Sequence, residues 1–169
     1  MARKPLPPQW LDEDEQQAWR HYLHASRLLE AVMDRDLQTH GLQLTEYEII
    51  MVLSGAPERR LRMSAIAEQV VQSRSRLTHT AGRLEKRGWV RRDACVADRR
   101  GVELVLTDAG LAAVIETAPT HVNSVRANLV DPLSREEFLA LGRAMGVVGR
   151  GIESKEAVDG VLNAEEQPA

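Results

Sequence analysis

Cysteine is nearly absent from this sequence, since Cys95 is the only one among 169 residues. A single thiol excludes an internal disulfide and any metal cluster built on cysteines, and it makes the reducing cytoplasm the expected compartment. Long apolar runs are also lacking, because no stretch approaches the roughly 18 residues of a membrane-spanning helix. The basic start MARK is followed by no apolar segment, so we do not expect a secretory signal.

Aromatic residues make up only 4% of the chain, whereas 43% of its residues are hydrophobic. The core therefore has to consist of Leu, Ile, Val, Ala and Met. The length suffices for one domain with a core of ordinary size. The sequence contains no glycine-rich phosphate loop, no nucleophile elbow and no evident pair of catalytic carboxylates. We therefore predict that the protein is not an enzyme and requires no cofactor.

Basic residues are concentrated in one quarter of the chain, residues 59–100. This segment holds 12 of the 22 lysines and arginines but only four of the 25 acidic residues, a net of +8 against −11 elsewhere. Such asymmetry favours a polyanionic partner for the segment. An arginine-rich surface that only meets solvent is the alternative that charge alone leaves open.

Apolar spacing predicts six helices and one β-hairpin. The first helix follows Pro8 and stops before Gly41, and the second opens with a capping box at Thr45 and Glu48 and stops by Gly55. Both are rich enough in apolar residues to contribute to a core.

The middle of the chain predicts a helix-turn-helix. After a very short extended piece, Ser64 caps a third helix that reaches about Val70. Ser73 then caps a fourth helix, residues 74–87, which Gly88 closes.

Two longer helices are predicted for the last part of the chain. The fifth starts at Thr107 and runs to about Leu129, and Pro119 is expected to kink it or remove one hydrogen bond. Ser134 opens a capping box for the sixth helix, which runs through Val148.

The fourth helix separates an apolar stripe from a polar arc. Leu77, Ala81 and Leu84 align at about 100° per residue and are expected to face the core. The rest of the helix combines short hydrogen-bonding residues with cations: Ser73, Arg74, Ser75, Arg76, Thr78, His79, Gly82, Arg83 and Lys86. Arginine binds guanine bidentately, and Ser, Thr and His reach base edges or phosphates, so this surface suits the major groove of DNA. An amphipathic helix with an incidentally basic face is the alternative.

A polar turn joins the two predicted strands, residues 89–92 and 102–106. It carries Asp98, Arg99 and Arg100. Arginine suits the narrow, negative minor groove of DNA, and Asp98 could orient the Arg100 guanidinium through a charge-assisted hydrogen bond. An exposed ion pair of little energetic value is the alternative.

Three motifs together resemble the MarR family of winged-helix regulators. The pattern D-x-R-x5-L-T includes Asp98 and Arg100 and ends at Leu106 and Thr107. Leu44, Thr45 and Tyr47 open the second helix as in that family. The fourth helix ends with the pattern Leu84-Glu85-x-x-Gly88-x-Val90, which is also similar to that family. The resemblance covers roughly residues 15–150.

The resemblance implies a transcriptional repressor that binds a pseudo-palindromic operator in double-stranded DNA as a homodimer. Arg100 would take the position of the minor-groove arginine of the wing, and Asp98 that of its orienting acid. The implied fold is mainly α-helical with a small β-hairpin wing. The predicted parts are a flexible segment 1–9, a single domain 10–150 with its winged helix at 44–107 and dimerisation helices at 10–40 and 107–150, and a polar tail 151–169.

The family commonly responds to small phenolic or carboxylate effectors, and the resemblance implies such a ligand between the dimer helices and the winged lobe. Trp19, Tyr22, Tyr47 and Met51 are the candidates for lining its cavity. The alternative is that these four residues belong to the core.

Three other interpretations are weaker. The peroxide-sensing branch of the family has a cysteine near the start of the first helix, where this chain has none, so Cys95 is expected to be inert. His21 and His24, with His40 or His121, form no tight ligand cluster, so no metal site is predicted. A winged helix that only binds other proteins remains an alternative, although the arginines and hydroxyls of the fourth helix argue against it.

Overall fold

The computed structural model of this chain describes residues 9–95 and 101–165, with side chains as far as Lys155. The architecture is mainly α-helical with one small antiparallel sheet, as the sequence predicted. None of the described helices is both long and apolar enough to cross a membrane. The chain forms two compact units, residues 1–124 and residues 125–169.

Helix α1 spans Glu13–Gln38 and begins later than the predicted start after Pro8. Asp12 and Glu15 form a reciprocal cap, in which each side chain accepts a hydrogen bond of 2.9 Å from the backbone N–H of the other. This cap sets the start, because it satisfies N–H groups that the first turn leaves unpaired. Gly41, with φ of 69°, lies just beyond the helix end, as predicted.

Helix α2 spans Leu44–Gly55, and the predicted cap at Thr45 is wrong. The N-cap is Gln43, whose backbone N–H donates to Oε2 of Glu46 at 3.0 Å. The sequence offers two capping patterns two residues apart, and the one ending at Glu48 is not used. Glu46 also pairs with an arginine of a later helix, and that tertiary contact favours the earlier start.

Helix α3 spans Met63–Gln69, and the predicted cap at Ser64 is also wrong. Arg62 holds the N-cap position without a side-chain hydrogen bond. The preceding residues form a strand, so the chain already enters α3 in the extended conformation that an N-cap needs.

Helix α4 spans Arg74–Lys86 and agrees closely with its prediction. Oγ of Ser73 accepts a hydrogen bond of 3.3 Å from the backbone N–H of Arg76 and so caps the helix. Gly88 has φ of 73°, the left-handed conformation that ends a helix.

The sheet has three strands, one more than the predicted hairpin. Strand β1 is Arg60–Arg62, β2 is Val90–Ala94 and β3 is Val102–Leu106, in the antiparallel order β1-β3-β2. Leu61 of β1 lies opposite Leu104 of β3. The sequence predicted β1 only as an extended piece, because three residues are too few to show a strand period.

Helix α5 spans Asp108–Val125 and continues through Pro119. Its first turn is fastened to the base of the hairpin by Thr107. The Thr107 N–H donates to the carbonyl oxygen of Trp89 at 3.0 Å, its hydroxyl donates to the Gly88 carbonyl at 2.7 Å, and the same hydroxyl accepts from the Gly110 N–H at 3.0 Å. A Cβ at Gly110 would lie 2.1 Å from the Trp89 carbonyl oxygen, so only glycine fits.

The core of the first unit lies between α2, α3, α4 and the sheet. Its fully buried hydrophobic side chains are aliphatic, as the scarcity of aromatic residues predicted. They come from every one of these elements and include Ile49, Ile50, Leu53, Ile66, Leu77, Leu84 and Leu104.

The second unit contains a π-helical segment, Arg126–Val130, and helix α6, Arg135–Glu165. The capping box predicted at Ser134 is confirmed: its N–H donates to Oε2 of Glu137 at 2.8 Å, and the Glu137 N–H donates to Oγ of Ser134 at 3.2 Å. The helix extends well beyond the predicted end near Val148. No proline interrupts this part of the sequence, and glutamate, lysine and alanine favour continued helix.

Candidate nucleic-acid interface

Helix α4 presents its polar arc to solvent and its apolar stripe to the core. Leu77, Ala81 and Leu84 are buried, which confirms the predicted core side. The side chains of the first half of the opposite surface are exposed: Ser73, Arg74, Ser75, Arg76, Thr78 and His79. Arg83, in the second half, is partly buried. The helix thus offers cations and hydrogen-bonding groups along one continuous surface.

A groove runs along each side of α4. The groove next to the wing is lined by Arg74, Ser75, Thr78, His79, Gly82, Arg83, Lys86 and Arg92. The groove next to α2 is lined by Gln43, Thr45, Ser73, Ser75, Arg76, His79, Thr80 and Arg83. Ser75, His79 and Arg83 are shared, so they form the ridge between the two grooves.

Arg92 of β2 is a residue of this site that the sequence did not reveal. Its Nη1 pairs with Oε2 of Glu85 at 3.0 Å, and its Nη2 donates to the carbonyl oxygen of Thr78 at 3.0 Å. Its backbone N–H also donates to the Glu85 carboxylate, at 3.2 Å. Arg92 therefore fixes the wing strand against α4. Which face of β2 meets α4 depends on packing, so no local signal could have shown it.

Gln43 and Thr45 are further residues of this surface that the sequence did not reveal. They lie at the start of α2 and belong to the groove next to it. A helix start can be read from the sequence, but its position beside α4 cannot.

Arg83 is held by α2 rather than left in solvent. Its Nε donates to Oε1 of Glu46 at 2.9 Å, and its Nη2 donates to Oε1 of Gln43 at 2.7 Å. The Glu46 side chain is only 2% exposed, so this is a salt bridge with a buried carboxylate.

Three other cations of the same surface have no such partner. The side chains of Arg74, Arg76 and Lys86 form no hydrogen bond or ion pair with any residue in the described part of the chain. Arg76 acts on Glu48 at longer range: burial and Glu30 raise the pKa of Glu48, and Arg76 lowers it. These cations are available to an anionic ligand.

The predicted wing residues Asp98, Arg99 and Arg100 lie outside the described residues. The strands that lead to them are in place, with Ala94 opposite Val102. Cys95 is buried, and its backbone N–H donates to the Gly101 carbonyl at 2.9 Å.

The four predicted effector residues do not form one cluster. The Trp19 and Tyr22 rings stack on α1 with centroids 5.7 Å apart, and both are about half exposed. Tyr47 is buried in the winged core together with Leu37. At a rise of about 1.5 Å per residue, Trp19 lies roughly 27 Å along α1 from Leu37. The aromatic pair is thus remote from Tyr47.

Tyr47 packs instead on a histidine of α5. The Tyr47 and His121 rings are 4.7 Å apart at an angle of 44°. Burial raises the pKa of Tyr47 and lowers the pKa of His121. Next to them, Nε2 of His40 hydrogen-bonds Oγ1 of Thr120 at 2.8 Å. Met51, one turn after Tyr47, is 38% exposed.

Comparison with known proteins identifies the family. A sequence pattern described as MarR family matches residues 40–101. The HTH-type transcriptional regulator PecS of Dickeya dadantii is 33% identical over 125 residues, which are 73% of this chain and 74% of PecS. This chain belongs to the MarR family.

Other relatives agree with that membership. Sco3205, a MarR family transcriptional regulator from Streptomyces coelicolor whose crystal structure contains DNA, is 43% identical, with a TM-score of 0.82 over 86% of this chain and 91% of Sco3205. The transcriptional repressor MprA of Escherichia coli is 31% identical over 98 residues, which are 58% of this chain and 55% of MprA. This member of the MarR family is a winged-helix transcriptional regulator.

Proposed function

We propose that this MarR protein is a repressor that binds a pseudo-palindromic operator in duplex DNA as a homodimer. The observation that carries the proposal is the exposed surface of α4. There the side chains of Arg74, Arg76 and Lys86 have no partner among the described residues, and serine, threonine and histidine side chains lie beside them. Phosphates would pair with the free cations, and base edges with the short polar groups.

The readout of the major groove is assigned to the exposed N-terminal half of α4. Ser73, Arg74, Ser75, Arg76, Thr78 and His79 are the proposed contacts. In a helix-turn-helix, the N-terminal residues of the second helix reach the base edges, which is where these side chains lie. That Sco3205 was crystallised with DNA supports this use of the same fold.

The wing is assigned to the neighbouring minor groove. Arg100 would enter the groove, Asp98 would orient its guanidinium, and Arg99 would touch a phosphate. The support is the hairpin of β2 and β3, because Ala94 and Val102 are paired and the segment with these three residues connects the two strands.

The homodimer is inferred from apolar side chains that this chain leaves exposed. On α1 they include Trp19, Tyr22 and Leu28, which are 46–53% exposed. On α6, Val147 is 64% and Ile152 is 53% exposed. Apolar surface of this extent on long helices favours burial against a second copy.

The stacked Trp19 and Tyr22 rings are the first candidate for an effector site. The stacked Trp19 and Tyr22 rings could hold a small aromatic or carboxylate compound between them and a partner helix. Tyr47 and Met51 would belong to a different part of the molecule, so we assign the effector site first to the aromatic pair.

In the first experiment, the wild-type protein selects duplexes from a random pool, and the recovered duplexes are sequenced. Fluorescence anisotropy then measures the affinity of the protein for the recovered duplex. We expect an inverted repeat, with one half-site for each protomer. Sedimentation of the free protein should give the mass of a dimer. Recovery of no preferred sequence would contradict the proposal.

The dependence of duplex affinity on salt concentration distinguishes a DNA-binding protein from a winged helix that only binds other proteins. A protein that neutralises phosphates loses affinity steeply as salt rises, because it displaces counterions. A shallow dependence for every duplex tested would favour the protein-binding alternative.

A further inference from the structure

Arg83, Glu46 and Gln43 form a closed ring of hydrogen bonds between α4 and α2. The guanidinium donates to the Glu46 carboxylate through Nε at 2.9 Å and to the Gln43 amide oxygen through Nη2 at 2.7 Å. The second carboxylate oxygen of Glu46 accepts the Gln43 backbone N–H at 3.0 Å. The ring therefore uses two guanidinium nitrogens, both carboxylate oxygens and the cap of α2.

Because Glu46 is buried, Arg83 has to stay paired with its carboxylate. An ionised carboxylate that is 1% exposed requires a counter-charge, and Arg83 is its one ion-pair partner among the described residues. If the guanidinium moved to a phosphate, it would leave that carboxylate unpaired. No such pair with a buried carboxylate holds Arg74, Arg76 or Lys86 among the described residues.

We infer that Arg83 is a positioning residue, which fixes the orientation of α4 on α2 through Glu46 and Gln43 and does not itself contact DNA. The inference rests on the proposed function, and it removes Arg83 from the DNA contacts that the sequence predicted. Arg83 lies in the second half of α4, and the proposed base contacts lie in the first half. A fixed second half sets the angle at which the first half enters the groove.

This role separates specific from non-specific binding. Base contacts depend on helix orientation, whereas attraction to phosphates depends on the number of free cations. Loss of the ring should therefore lower affinity for the selected operator and leave affinity for an unrelated duplex unchanged.

The decisive variant is Arg83→Lys. It keeps the positive charge, but one ammonium group cannot replace both Nε and Nη2 of the planar guanidinium. We expect about tenfold weaker binding to the selected operator, no change for a scrambled duplex of equal length, and an unchanged slope of affinity against salt. Wild-type affinity of Arg83→Lys for the operator would overturn the inference.

The double variant Glu46→Gln with Arg83→Gln controls for charge and folding. It removes both charges together, so no buried carboxylate remains unpaired. We expect loss of operator preference with an unchanged salt slope, whereas Arg76→Ala, the matched control, should lower the slope by about one. A slope lowered by about one in the double variant would identify Arg83 as a phosphate contact and overturn the inference.

A measurement on the free protein separates this inference from the proposed function. If the wild type prefers no duplex, the proposed DNA function fails, but the ring can still be tested by urea unfolding of both single variants and the double variant. Non-additive effects would support the coupling of Arg83 to Glu46. Additive effects would overturn it.

Discussion

The winged lobe and helix α1 bury their apolar residues in opposite ways. In the lobe, residues 44–107, side chains such as Ile50, Leu53 and Leu104 are fully buried within one chain. In α1, Leu37 is the only buried residue of 26. Leu37 of α1 and Val114 of α5 complete the core of the lobe, whereas the rest of α1 leaves apolar surface for another molecule. The proposed DNA contacts of the lobe and the proposed self-association through α1 can thus be altered separately.

The largest effect is expected from Leu53→Ala in the lobe. Removing a fully buried leucine side chain leaves a cavity and should lower the free energy of unfolding by about 4 kcal/mol. The matched variant Leu28→Ala on α1 should cost less than about 1 kcal/mol in the monomer, because that side chain is half exposed.

Urea unfolding, monitored by circular dichroism, measures the unfolding free energies of Leu53→Ala and Leu28→Ala. Sedimentation measures the self-association of both variants. We expect Leu28→Ala to weaken the dimer and Leu53→Ala to leave the dimer interface unaltered at temperatures where the variant is folded. Equal losses of unfolding free energy in the two variants would contradict the comparison.

The next effect is expected from Gly110→Ala. The added Cβ would lie 2.1 Å from the Trp89 carbonyl oxygen and 2.7 Å from Cδ1 of Leu106, so the joint between wing and α5 has to open. We expect a loss of about 3 kcal/mol in unfolding free energy. Gly55→Ala is the control, since no atom lies within 4 Å of its added Cβ. A similar urea midpoint for both variants would rule out the joint as a source of stability.

A smaller effect is expected from Arg100→Ala, measured on DNA. Removal of the proposed minor-groove arginine should weaken binding to the selected operator about tenfold at fixed salt, with dimer and fold retained. Arg27→Ala removes the same charge from α1 and should leave affinity unchanged. Fluorescence anisotropy on both variants decides the assignment, and unchanged affinity of Arg100→Ala would refute it.

The smallest effect concerns His121, which joins α5 to the lobe through Tyr47. Burial lowers the pKa of His121 in the folded protein below its ordinary value near 6.5. Between the two pKa values the unfolded chain binds more protons, so stability is complete above about pH 6.5 and falls as the pH decreases. Because the imidazole is only partly buried, solvent screening keeps the loss below about 1.4 kcal/mol for each unit of pKa difference.

Urea unfolding from pH 7.5 to pH 5 tests this sign. The variant His121→Phe keeps a ring against Tyr47 but cannot take up a proton, so its stability should fall less at low pH than that of the wild type. Glu48, whose raised pKa acts in the opposite direction at lower pH, is present in both proteins and cancels in the difference. Identical pH profiles would exclude His121 as the source.

Local patterns predicted the elements whose signals are complete within a few residues. Ser73 and Gly88 bound α4, and Ser134 with Glu137 starts α6, because each cap is satisfied by its own helix. The winged fold could be predicted for the same reason, together with the resemblance of its motifs.

Contacts between distant segments account for what the sequence did not show. The cap of α2 moved to Gln43 because Glu46 pairs with Arg83, 37 residues later. The place of Arg92 in the site depends on β2 packing against α4. Both require the tertiary arrangement, which no single window of sequence contains.

The Trp89 carbonyl oxygen, which meets both Thr107 and the first turn of α5, has a consequence for insertions and deletions. One added residue between Leu106 and Gly110 would rotate the glycine away from the gap beside Trp89 and bring a residue with a Cβ against that carbonyl oxygen. A change of length between Cys95 and Gly101 would leave that gap untouched. We therefore expect insertions and deletions to be tolerated between Cys95 and Gly101 and to be excluded between Leu106 and Gly110.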